Sequence, residues 1–276
     1  MTEITINVPP SLLTEVTARA EEEGDSLQNV IVAAIADVVG KQHATIFQIS
    51  TTNALVEGVH GKAVTIRDLR AHGNFGLGTF AGLAGEMVVV DGTFMCVPGN
   101  GAPYEAQDAD EVPFAVVSVF TADATFDSGP VGRFSDLAAV LDSRRGSENL
   151  FYAVRISGRF DSIHTRAVCP VPPGTGLVAA AHSQTELHSE GVSGTIVGYW
   201  FPEYSSALNV PGWHLHFITD DRSAGGHVLD VESETLNVAL QQIDDLHVSL
   251  PETKEFMQAN LNFDPEAALD EAERAH

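Results

Sequence analysis

The chain has 276 residues, with 14 Lys and Arg against 38 Asp and Glu, for a formal net charge of -24. That length can bury a substantial core as one large domain or two small ones, and the charge excludes partners such as nucleic acid and anionic lipid. Lysine occurs only at Lys41, Lys62 and Lys254; the acidity fits either a salty cytoplasm that screens self-repulsion or an ordinary acidic composition. In chain order, Ile4, Ile6 and Val8 alternate with Glu3, Thr5 and Asn7, which predicts a short strand. Pro9-Pro10-Ser11 then starts a helix with Leu12, Leu13, Val16 and Ala20 on one side, and Gly24 stops it. Ser26 caps a second helix carrying Val30, Ile31, Ala34, Ile35 and Val38, which ends at Gly40.

Strand, helix, helix within forty residues resembles a ribbon-helix-helix module. Such modules intertwine as dimers because a lone copy cannot cover its apolar faces, so the resemblance implies a homodimer. The strand's outward residues Glu3, Thr5 and Asn7 are not basic, and Arg19 is the first cation after the N-terminus. Residues 1–40 therefore read as a dimerisation element without DNA-binding chemistry, the alternative being an unrelated two-helix extension.

Residues 41–276 read as a second, catalytic domain. A strand is expected at 46–49, followed by Ser50-Thr51-Thr52-Asn53-Ala54-Leu55, and a capped helix start at 64–69. The glycines of the run His72 to Glu86 do not follow dinucleotide-binding spacing and suit tight turns beside a strand ending in Glu86. Strands at 87–90 and 93–97 flank Asp91-Gly92, a hairpin signature. Further strands are expected at 114–121 and from 149 through Arg166, with a helix at 135–143 between them. Gly194-Thr195-Ile196-Val197-Gly198-Tyr199 echoes Gly78-Thr79-Phe80-Ala81-Gly82-Leu83, a hint of two related halves. Strands near 236–246, a helix at 253–261 and an acidic helical tail at 264–273 complete the chain. Cys96 and Cys169 cannot make a disulfide framework and suit a reduced cytosol. With no signal segment and no apolar run long enough to span a bilayer, a soluble, cytoplasmic protein is expected.

The chemistry-bearing stretch is Pro211 to Asp230. Residues 213–219 alternate like a strand, so His214 and His216 share a face. Residues 220–226 are turn-rich, and the return strand brings His227 opposite them. Three neutral imidazoles from two paired strands leave an open position, the arrangement of a catalytic rather than a structural zinc. The predicted fold class is α+β and mostly β, with two related mixed-sheet halves forming one catalytic unit plus the small N-terminal module.

This run, with the segments at 50–55 and 72–86, resembles the α-acetolactate decarboxylase family from about Ala44 to Glu273. The resemblance implies a zinc enzyme that converts acetolactate to acetoin, the metal chelating the substrate's hydroxyl and ketone oxygens. It implies Arg166 as the grip on the substrate carboxylate, singling it out from Arg155 and Arg159. It assigns Glu86 as the acid that protonates the enediolate, kept protonated by an apolar wall, and Thr79 as a hydrogen-bonding group near the substrate. A glutamate near the C-terminus returns to the zinc in this family; Glu273 is the choice here, with Glu271 behind it. A zinc hydrolase could use the same histidines to activate water. A metal-sensing regulator, similar to nickel-responsive repressors, is the non-enzyme alternative, opposed by the missing basic strand residues.

Overall fold

The computed structural model describes residues 5–23, 26–38 and 44–273 and divides into two compact units, Met1–His43 and Ala44–His276. In the first, α1 (Pro10–Glu23) opens on a proline whose fixed φ suits a first helical turn, and α2 (Leu27–Val38) follows Ser26. The two helices pack together and bury Ala20 and Val30, while Leu12, Leu13, Val32 and Ile35 remain exposed. The strand expected from Glu3 is not formed among the described residues: 5–9 have no regular structure, and 1–4 lie outside them. A ribbon strand in a single chain has no partner for its ladder hydrogen bonds.

The second unit runs β1 (Thr45–Ile49), α3 (Thr52–Val56), β2 (Val64–Thr65), α4 (Ile66–Arg70), β3 (Phe75–Thr79), β4 (Glu86–Val90), β5 (Thr93–Val97), β6 (Tyr104–Glu105), β7 (Glu111–Val112), β8 (Phe114–Ser118) and β9 (Ala124–Asp127). It continues α5 (Phe134–Asp142), β10 (Phe151–Ala167), α6 (Leu177–Ala181), β11 (Thr185–Phe201), β12 (Gly212–Thr219), β13 (Gly225–Glu232), β14 (Asn237–Ile243), β15 (Asp245–Ser249), α7 (Lys254–Gln258) and α8 (Glu266–Glu273). The architecture is α+β with strands dominant. One sheet, ordered β15-β1-β8-β3-β4-β5-β6, is mixed because β1 and β15 run parallel. The other, β11-β12-β13-β10-β14-β9, is antiparallel, and β11 pairs with β10 as well as β12, so those four strands close on themselves.

Strand alternation sorts the side chains into layers. Ile46, Leu77, Val88 and Val116 of the first sheet meet Val197, Tyr199 and Ile218 of the second in a shared core. The first sheet's outer face packs Met87 and Val89 against Ile66 and Leu69 of α4, and the second's packs Leu215 and Phe217 with Leu137 and Leu141 of α5. The buried Tyr199 hydroxyl donates to the Phe75 carbonyl at 3.1 Å and lies 2.9 Å from Ser118 Oγ, tying β11 to β3 and β8 across the layers. By this alternation Glu86, Thr79, His214 and His216 project between the sheets.

Three expectations change. Glu86 opens β4 instead of ending a strand, because Gly82 (φ 71°), Leu83 (φ 53°) and Gly85 (φ 151°) reverse the chain just before it. Gly76 and Gly78 lie inside β3, not in turns; a Cβ on Gly78 would sit 2.5 Å from the Phe114 carbonyl oxygen of β8. The acidic tail is not fully solvated: Leu269 and Ala272 are buried and α8 packs on α6. Among the described residues no helix is long and apolar enough to cross a membrane.

Candidate active site

The site is built on the β12–β13 hairpin. Thr219 closes its turn: its Oγ1 accepts from Ser223 N at 3.0 Å and Ala224 N at 3.1 Å, with Arg222 at φ 58°. That turn sets the register, placing His216 directly opposite His227. On the far side of β13, His227 pairs with Arg166 of β10, after a register shift between His164 and Thr165. His216, His227 and Arg166 thus form one row across three neighbouring strands. Gly226 makes this crowding possible, for a Cβ there would lie 2.3 Å from the Arg166 carbonyl oxygen.

His214, His216 and His227 are all buried, and one nitrogen from each falls within 4.8 Å of the others. His216 Nδ1 is 2.8 Å from the Met87 carbonyl oxygen of β4. A carbonyl can only accept, so Nδ1 carries a proton and Nε2 is the nitrogen turned toward the site. Burial, and after it the Arg166 guanidinium, hold His214 down to about 3, so its ring is neutral at any working pH. His214 Nε2 and His216 Nε2 are 3.1 Å apart. Tetrahedral zinc with bonds of about 2.0–2.1 Å needs nitrogens about 3.3 Å apart, so the donor set fits that ion.

Glu86 reaches the same point from the opposite sheet, its Oε2 3.6 Å from His216 Nε2, with the carboxylate buried. Thr79 pairs with Glu86 across β3 and β4. Its hydroxyl donates to the Gly85 carbonyl at 2.9 Å, leaving only acceptor capacity toward a substrate. A small cavity between the sheets is lined by Thr79, Glu86, Arg166, His214 and His216, with Leu55, Leu83, Phe114, Leu177 and Val210 as its apolar wall. His227 and His214 also line a second, wider groove with Arg133 and Trp213.

The chain that builds this cavity has known relatives. Residues 46–263 fit the sequence pattern of the alpha-acetolactate decarboxylase family. The chain belongs to that family. It is 39% identical to the alpha-acetolactate decarboxylase of Methanosarcina mazei over 91% of this chain and 86% of that protein. With the Bacillus licheniformis enzyme the identity is 35%, over 85% and 94%. The crystal structure of the Bacillus subtilis enzyme superposes with a TM-score of 0.81 at 34% identity, covering 84% of this chain and all of that one. The chain is accordingly an enzyme, a carboxy-lyase of the acetolactate decarboxylase class, and the family's reaction yields acetoin.

Within this family frame, the sequence-assigned Thr79, Glu86, Arg166, His214 and His216 share one cavity, and His227 joins them through the imidazole cluster. Glu273 is the last residue of α8, and its side chain, like that of Glu271, lies outside the described residues. The helix itself is anchored on α6, which lends Leu177 to the cavity wall. One residue escaped the sequence reading. Gln184 Oε1 accepts from Arg166 Nη1 at 3.0 Å, and no spacing signals this, because the contact spans the β10–β11 pairing.

Proposed function

We propose that the chain decarboxylates acetolactate to acetoin with a zinc ion held by His214, His216 and His227. When bound, the ion would act as a Lewis-acid sink for negative charge developing on the substrate's hydroxyl and ketone oxygens. Arg166 holds the substrate carboxylate through its planar fork, and Gln184 braces one arm of that fork. Loss of carbon dioxide leaves an electron pair on the carbon that bore it, and the pair flows into the adjacent carbonyl. The resulting enediolate needs one proton on carbon, delivered to a single face to set the product's chirality. Glu86 supplies that proton, with Glu273 as its carboxylate partner. The apolar wall keeps water from competing as a proton source and lowers the dielectric around the carboxylate that departs.

The observation that carries this reading is the meeting of Glu86, from one sheet, with His216 of the imidazole cluster on the other at 3.6 Å. A proton donor beside the electron sink is what the last step requires. Glu86→Gln tests it: acetoin formation should fall about a hundred- to ten-thousand-fold while zinc content stays at the wild-type level. Loss of zinc along with activity would make Glu86 a ligand and sink its assignment as proton donor. Chelation of the wild-type protein should stop acetoin formation, and added zinc should restore it.

A further inference from the structure

We infer that His164, Glu186 and His188 form a second divalent-cation site, on the β10–β11 ribbon and separate from the buried histidine cluster. One nitrogen from each imidazole and one Glu186 oxygen lie within 4.8 Å of one another. The register explains why. His164 faces His188 directly across the antiparallel pair, and Glu186 lies two residues along β11 from His188, on the same face. The two rings stack with centroids 3.7 Å apart and planes 17° from parallel, so the pair is closed in this structure and the exposed His188 ring must turn away from its partner before both lone pairs meet one ion. His164 Nε2 is 3.0 Å from Glu186 Oε2.

The carboxylate is oriented before any ligand arrives. Its other oxygen, Oε1, accepts from Gln184 Nε2 at 3.1 Å, and Gln184 Oε1 in turn accepts from Arg166 at 3.0 Å. Glu186 therefore presents Oε2 to the imidazoles, an arrangement that secures ligands in metal sites. Two imidazoles and a carboxylate favour zinc, nickel, cobalt or copper over magnesium or calcium, which prefer all-oxygen shells. Ligand separations of about 3.3 Å around such an ion require the three donors to close by about 1 Å or less each, from their 4.8 Å limit. Glu186 and His188 are exposed and can make that movement, while His164 is half-buried and lines the groove that His214, His227 and Asp230 also line. The net charge of -24 raises cation concentration at the surface. Exposure makes the ion exchangeable, unlike one held by the buried cluster.

The proposed site shares no ligand with the buried histidine cluster, and Gln184 is its link to Arg166. Untagged holoenzyme dialysed to equilibrium against zinc chloride, with metal counted by mass spectrometry, should hold one zinc per chain more than His188→Ala treated alike. His188→Ala should keep its melting temperature and turnover, since that side chain lies outside the cavity. His216→Ala should show the converse, keeping the exchangeable zinc while losing the other. Equal zinc content in wild type and His188→Ala overturns the site, whether both hold one ion or both hold two.

Discussion

At the scale of single residues, the site depends on groups whose protonation is fixed by where they sit. His214 is buried beside a guanidinium, so its lone pair is available without a proton first being lost. Arg166 is valuable for its shape: a planar fork with one arm braced by Gln184 can meet a carboxylate at a set angle, and an ammonium cannot. Arg166→Lys should therefore raise KM for acetolactate about 10- to 100-fold, the loss of a charge-assisted pair, with a smaller change in kcat and unchanged zinc. Steady-state kinetics with metal analysis decide this, and zinc loss would move Arg166 from substrate binding to support of the metal cluster. Cysteines respond to the same forces. Burial pushes the Cys96 thiol up to about 11, so it stays protonated and covered at pH 8, whereas Cys169 is partly exposed. A disulfide-exchange reagent at that pH should modify one thiol of the native chain quickly and both after denaturation. Two fast thiols in the native state would contradict the burial of Cys96.

At the scale of elements, the decisive unit is the triple β12–β13–β10, and its weak point is Gly226. That residue has φ 137° and leaves no room for a Cβ against the Arg166 carbonyl. Gly226→Ala should cost about 2–4 kcal/mol through overpacking and backbone strain, or a fall of about 4–16 °C in Tm. It should also weaken zinc retention, since His227 is next in sequence; a variant with wild-type Tm and zinc would mean that the strands separate freely there. The same triple explains what the sequence could reveal. His214 and His216 on one face follow from alternation within a strand, and His227 opposite them follows from a short turn, both local rules. Arg166 was not legible from its surroundings, because its place in the row depends on pairing β10 with β13 across sixty residues and on a register shift at His164. Glu86 was similarly hidden: its segment reads as a glycine-rich turn, and only the stacking of two sheets carries it to His216. The resemblance to a family supplied both, where spacing could not. The glycines in β3 misled for a related reason, since a strand needs glycine wherever a neighbouring backbone crowds it.

At the scale of the whole molecule, the first unit, Met1–His43, precedes a family pattern that begins at residue 46. Every group in the proposed chemistry lies in the second unit, which has its own layered core. Among its described residues the first unit buries few apolar side chains: Ala20 and Val30 are covered, and Leu12, Leu13, Val32 and Ile35 are exposed. Burying one such side chain is worth about 1.5–3 kcal/mol, and a helix pair with four of them exposed is the surface a second copy would cover. We propose that residues 1–40 join two chains. A chain beginning at Lys41 should keep zinc and acetoin formation at the full-length level, because it retains every proposed ligand and the cavity wall. It should lose association, so that light scattering gives a smaller mass than for the full chain, and its melting temperature should lose the concentration dependence that a dimer imparts. Neither form should bind duplex DNA at moderate salt, since Thr5 and Asn7 are neutral and the whole chain is strongly acidic. If the full and shortened chains scatter as the same species and melt together at every concentration, the exposed helical face has no second copy to cover it and the dimer assignment fails.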